Sequence, residues 1–208
     1  MKKSVYSLVL MDDVVEKIDL LAYKMNTSRS NMINRILAEH VEFVTPEQQM
    51  EEIFNVIGQF MEKGHFQISP QPTSNSMAIR SQLKFRYKPT IKYSLILFSN
   101  DGGSQGRLEV SFRTQSEQLI AAINDFFRLW MRFEFAMRRD TKGGLKEGKY
   151  IRTFQTLPTS QETAAGVAGY IMALDEVLKA YFLHLDDLRA AESSAAEAYR
   201  AVMQVLKI

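Results

Sequence analysis

The chain has no cysteine among its 208 residues. That removes disulfides, thiolate metal sites, thiol redox switches and a cysteine nucleophile together. Histidine is scarce as well: His40, His65 and His184 fall on separate segments with no neighbour at metal-ligand spacing, so no metal is expected. No apolar run approaches the roughly 20 residues of a membrane span. The opening lysines lead into a β-patterned stretch instead of a signal-peptide core, and the expected setting is the cytoplasm. No nucleophile stands beside a base, and Gly143-Gly144 and Gly148 lack phosphate-loop spacing. Neither an enzyme nor a cofactor is expected, and Asp175-Glu176 and Asp186-Asp187 read as solvated helix charges.

What is present is an ordinary globular composition, 46% hydrophobic with a net charge of +2. The charge is unevenly spread. Lys+Arg against Asp+Glu runs 6 and 6 over residues 1–45, 1 and 4 over 46–79, 15 and 7 over 80–155, and 4 and 7 over 156–208. The middle of the chain is its basic part.

The strongest pattern lies in residues 2 to 44. Lys2-Lys3-Ser4-Val5-Tyr6-Ser7-Leu8-Val9-Leu10-Met11 reads as a short strand, and Asp12 or Asp13 can cap a helix. That helix carries Val14, Val15, Ile18, Leu21, Ala22 and Met25 at three- and four-residue spacing. Asn26-Thr27 closes it and Ser28 caps a second helix with Met32, Ile33, Ile36, Leu37 and Val41 on one stripe. A lone terminal strand leaves its backbone groups unpaired, and two short helices bury too little surface to stand alone. The expected remedy is a second copy, pairing the two strands as an antiparallel ribbon about a twofold axis.

These residues resemble the ribbon-helix-helix superfamily of DNA-binding proteins, the Arc, MetJ and CopG type. The likeness rests on the alternating strand ending Leu8-Val9-Leu10, the acidic pair Asp12-Asp13, the Val-Val-Glu-Lys-Ile-Asp-Leu-Leu-Ala run at 14 to 22, and Ser28-Arg29-Ser30 opening the second helix. It covers about a fifth of the chain. The resemblance implies a homodimer whose ribbon enters the DNA major groove, with Tyr6, Leu8 and Leu10 turned to the dimer core and Val5, Ser7 and Val9 turned to the bases. It also implies a phosphate held at the start of the second helix by the backbone amides of Ser28, Arg29 and Ser30, where free N–H groups and the helix dipole favour an anion. Lys2 and Lys3 can approach phosphates too. The sequence departs from the family in offering Val5 and Val9, which make only apolar base contacts, so Ser7 alone can hydrogen-bond.

Beyond the module, Thr45-Pro46-Glu47-Gln48 starts a third helix through a capping box, and Gly64 ends it. The Pro-containing run from His65 to Ser76 reads as a linker or extended edge segment, placing a domain boundary there. Period-two patterning predicts strands over Leu83–Lys88, Ile91–Leu97 and Leu108–Phe112, with a further one near Tyr150–Phe154. Lys84, Arg86, Lys88, Lys92, Arg107 and Arg113 are expected to crowd one face or edge of that sheet, as a phosphate or acidic-partner surface or simply as a solvated face. A long helix from Thr114 or Ser116 to Arg139 should cover the sheet with its aromatic stripe, followed by a Gly-rich loop holding Lys142, Lys146 and Lys149. Two Ala-rich helices end the chain, broken near Asp186-Asp187 or Ser193-Ser194.

The expected architecture is α+β: a ribbon-helix-helix module over 1–45, a connecting helix and linker over 46–80, and over 81–208 an antiparallel meander packed on a long helix with a C-terminal helical hairpin. The expected function is that of a prokaryotic, nucleoid-associated regulator, a repressor acting on double-stranded DNA as a homodimer or as a larger assembly on DNA. The alternatives are an antitoxin-like scaffold holding a protein partner through 81–208, and an architectural protein that coats DNA without reading it.

Overall fold

A computed structural model describes residues 4–69, 73, 75–85, 88–100, 103–137 and 142–203, with the side chains of 99, 100, 103, 104, 142 and 203 left aside. Among these residues the chain is α+β, with six helices and one six-stranded antiparallel sheet. It divides into two compact units, residues 1–49 and 50–208. The division falls inside the third helix, and the stretch expected as a linker belongs to the second unit.

The first unit holds α1 (Asp12–Lys24), α2 (Arg29–His40) and the first turn of α3 (Pro46–Glu62). The expected strand over residues 4–11 is absent: residues 4–11 have no regular secondary structure, and the first strand comes only after three helices. A strand exists only when its backbone groups meet a partner, and the single chain brings none to this segment. Nor do Asp12 and Asp13 cap α1. Met11 holds the cap position without a side-chain bond, its carbonyl accepting from the Val14 and Val15 amides, while the two aspartates sit in the first turn where the helix dipole favours them. Asn26, left-handed at φ 48°, turns the chain out of α1, and the Ser28 hydroxyl accepts from the Asn31 amide to open α2. The expected capping box at α3 is present, with reciprocal bonds between Thr45 and Gln48 of 2.8 and 3.2 Å.

The second unit contains β1 (Gln67–Ser69), β2 (Ser76–Gln82), β3 (Thr90–Asn100), β4 (Gly103–Phe112), α4 (Glu117–Met137), β5 (Lys142–Lys146), β6 (Lys149–Gln155), α5 (Ser160–Leu183) and α6 (Leu188–Met203). The sheet order is β1-β2-β3-β4-β6-β5. Two strands differ from expectation. Leu83 and Phe85 lie beyond β2 in a turn, closed by the Leu83 amide donating to the Pro89 carbonyl and by left-handed Lys88. Proline has no N–H for a ladder, so the pairing restarts at Thr90. The expected Gly-rich loop is instead a hairpin: Lys146 pairs with Lys149 across Glu147-Gly148, both at positive φ, the two-residue turn whose twist suits antiparallel strands.

Alternation along the strands puts Ile79, Ile91, Tyr93, Leu95, Leu97, Leu108, Val110 and Tyr150 on one face, in one core with α3, α4, α5 and α6. The expected aromatic stripe of α4 supplies Phe126, Phe127 and Trp130, and Phe127 stacks on Tyr150 with centroids 5.0 Å apart. The Thr159/Glu162 capping box starts α5, and the chain breaks at His184–Asp187, where the Asp187 carboxylate accepts from the Arg189 and Ala190 amides. Among the described residues no helix is long and apolar enough to cross a membrane.

Candidate nucleic-acid interface

The segment ahead of α1 is almost wholly uncovered. Val5 and Val9 are 99% and 103% exposed, whereas Tyr6, Leu8 and Leu10 fall through 81%, 62% and 41%. The even-numbered side chains, expected to face a dimer core, are thus the less exposed set, and Ser7 is exposed with its neighbours.

Behind this segment the helix pair has a small core of Ile18, Ala22 and Met32, with Ile33 partly buried against it. Other residues of the same expected stripes, Val14, Leu21, Met25, Ile36, Leu37 and Val41, remain more than a third exposed. Six of the eleven stripe residues are thus left well exposed by the described residues.

At the start of α2, Ser28, Arg29 and Ser30 form the cap and first turn, and no acidic residue lies there. The first N–H groups of a helix have no acceptor within it, and here the Ser28 hydroxyl takes up that of Asn31. The Arg29 guanidinium turns back to α1 and holds Asp19 by two bonds, Nε to Oδ1 at 2.6 Å and Nη2 to Oδ2 at 2.5 Å. Those bonds lower the Asp19 carboxyl below its ordinary range and raise Arg29. The pair joins α1 to α2 but is exposed, so it adds little stability.

Lys2, Lys3 and Arg86 lie outside the described residues. The other expected basic residues separate. Lys84 and Lys88 line a cleft of about 630 Å³ with Phe85, Phe182, Leu185 and Asp186. Lys92 lies in β3, and Arg113 follows β4 with its amide donating to the Thr90 carbonyl.

Two buried polar clusters escaped the sequence reading. In the first, Glu134 of α4 accepts from the Arg152 guanidinium of β6, from the Tyr150 hydroxyl at 2.6 Å and from the Tyr170 hydroxyl at 3.1 Å. Trp130 Nε1 donates to the Tyr170 oxygen at 2.9 Å, and Arg152 lies over the Tyr170 ring. The Tyr150 and Tyr170 oxygens are themselves 2.9 Å apart, so two hydroxyl protons serve three oxygen contacts. Burial raises both hydroxyls above the ordinary tyrosine value, and at Tyr170 the Arg152 charge opposes the shift. In the second cluster Asp175, expected as a solvated charge, is buried and accepts from Tyr93 at 2.8 Å and from Lys179 at 2.5 Å. Lys179 also donates to Ser81 at 2.8 Å, and burial followed by the Asp175 charge pushes Tyr93 well above its usual value. The signal available in the sequence was position: Glu134 and Asp175 fall within the apolar stripes of their helices, where a carboxylate needs donors.

A second cleft, of about 670 Å³, lies along α4 and the start of α6, where Arg132 pairs with Glu192 at 3.2 Å. Among the described residues no three His, Asp or Glu side chains gather as metal ligands. Compared with family models, curated proteins and solved structures, the chain matches none of them.

Proposed function

We propose that the chain is a homodimeric, ribbon-helix-helix DNA-binding regulator in which residues 4–11 of two copies pair as an antiparallel ribbon and enter the major groove. The observation that carries this reading is the uncovered apolar segment 5–11 in front of a helix pair whose own core is only Ile18, Ala22 and Met32. Pairing satisfies the backbone of the segment, and the even-numbered side chains with Leu21, Met25, Ile36 and Leu37 complete a core between copies. Val5, Ser7 and Val9 then face the bases: the hydroxyl bonds a base edge and the valines touch thymine methyl groups. The α2 amino terminus holds a phosphate through main-chain amides, since the Arg29 side chain is engaged by Asp19.

Sedimentation of the purified protein should give twice the chain mass, and selection from a random duplex library should enrich one sequence. Ser7→Ala and Val9→Ala should each lower the ratio of selected to random binding. A monomer at micromolar concentration, or uniform binding to all duplexes, would sink the reading.

One observation favours a second reading, in which the dimer holds a protein. The outward residues Val5 and Val9 are apolar, a face that suits a protein groove as well as a base step. In that case a partner would be captured by the chain whether or not Ser7 is replaced.

A further inference from the structure

Among the described residues of the second unit, the helices pack on one face of the sheet. Strand alternation turns Arg80, Lys92, Arg107, Lys146 and Lys149 to the side opposite the helix-packed core, and the residues around them there are serine, threonine and glutamine with Gly144, buried Ala78 and partly buried Ile96, Phe98 and Ile151. Glu109 is the one acid on that face among the described residues; it bonds Arg107 at 2.9 Å and lies 3.9 Å from Lys149.

Most of these charges form a row. Register places Gln67 beside Arg80, Arg80 beside Lys92, Lys92 beside Ser111, and Lys149 beside Lys146, with Lys149 one step past the Val110–Tyr150 pair that joins β4 to β6. With neighbouring strands about 4.8 Å apart, the row crosses the sheet over roughly 24 Å. One strand of B-DNA presents about seven phosphates in that length. Two of the cross-strand neighbours, Arg80 with Lys92 and Lys146 with Lys149, are like charges directly opposed, which weakens a sheet. An anion bridging them removes that repulsion.

We propose that this open face is a second DNA-binding surface, on which the row from Arg80 to Lys146 takes the phosphate backbone of double-stranded DNA without reading its sequence. Charge complementarity selects a polyanion. The scarcity of rings selects the duplex over a single strand, because single-strand surfaces hold bases by stacking and Phe98 is the one aromatic side chain on this face among the described residues. The row shares no residue with the proposed amino-terminal ribbon.

The test uses the full chain and a random-sequence 30-base-pair duplex. Replacing Arg80 and Lys92 together by glutamine should lower the slope of log affinity against log salt by about 2, since each phosphate contact contributes about 0.9. The loss should be equal on every duplex, leaving any preference for a selected sequence unchanged, whereas Ser7→Ala should change the preference and leave the slope. Arg189→Gln, on α6, should do neither. An unchanged slope in a double variant that melts like the parent overturns the proposal. Should that variant not fold, the parent protein still decides: duplex should shield Lys92, Lys146 and Lys149 from acetylation relative to Lys63. No shielding overturns it, as does shielding by single-stranded DNA alone or by self-association without DNA.

Discussion

Gly106 has no room for a methyl group. A Cβ there would stand 2.0 Å from the Phe154 ring, which lies over the glycine from the neighbouring strand. Gly106→Ala should therefore destabilise the protein by about 1–3 kcal/mol in urea unfolding, and a second change of Phe154→Leu should recover much of it. The Glu134–Arg152 pair is a sharper case, because both side chains are buried. Glu134→Leu leaves a buried guanidinium without its counter-charge and should cost about 3–5 kcal/mol; Glu134→Leu with Arg152→Met should cost much less than the sum of the two single changes. Tyr93, Tyr150 and Tyr170 carry a pH consequence. Each hydroxyl is raised in the folded protein, chiefly by burial, so the folded state keeps protons that the unfolded chain releases near the usual value of about 10. Their contribution is fully present below pH 10 and is lost as pH climbs from there toward the folded values. Denaturation midpoints should be level in tyrosine's share up to that point and fall beyond it, and Tyr150→Phe should flatten the fall.

Among the elements, the hairpin between β5 and β6 invites improvement. Glu147 occupies a left-handed position that asparagine tolerates better, so Glu147→Asn should raise stability by up to about 1 kcal/mol, read as a higher denaturation midpoint at unchanged slope. This hairpin also shows where sequence reading stops. Helices announced themselves through caps and three-to-four spacing, as at Thr45–Gln48 and the aromatic stripe of α4. Strand ends did not, because Leu83-Lys84-Phe85 alternates like a strand and is ended by Pro89 and the turn at Lys88, while Ser76–Gln82 lacks strict alternation and becomes a strand by pairing with β3 along its whole length. Glycines at 143, 144 and 148 suggested a loop, yet Gly143 is a strand residue whose missing side chain makes room for the Tyr150 hydroxyl. Residues 5 to 9 alternate like a strand as well, yet with no strand of the same chain paired to them they have no regular structure and are exposed. The rows of the open sheet face were not legible in the sequence, since register joins residues far apart in sequence.

For the whole molecule, the proposed dimer would make self-association and stability inseparable, because it would extend the small core of Ile18, Ala22 and Met32 in the first unit. Leu21→Asp or Leu37→Asp, at positions exposed in the single chain, should alter neither helix and yet dissociate the proposed dimer. The melting temperature of the parent should then rise with protein concentration, and that of the variant should not. A variant that still sediments as a dimer would place the contact between copies elsewhere.

The seat of Tyr150 over Gly143 reaches beyond packing. Sheet margins are drawn from the less stable end of a fold, and Gly143 of the edge strand β5 lies against the Tyr150 hydroxyl that donates to Glu134. Each excursion of β5 would admit water to an ionic knot that also ties α4 and α5, so its amides should exchange in step with those flanking Tyr170. A frayed margin would thereby set the tempo at which the interior loosens.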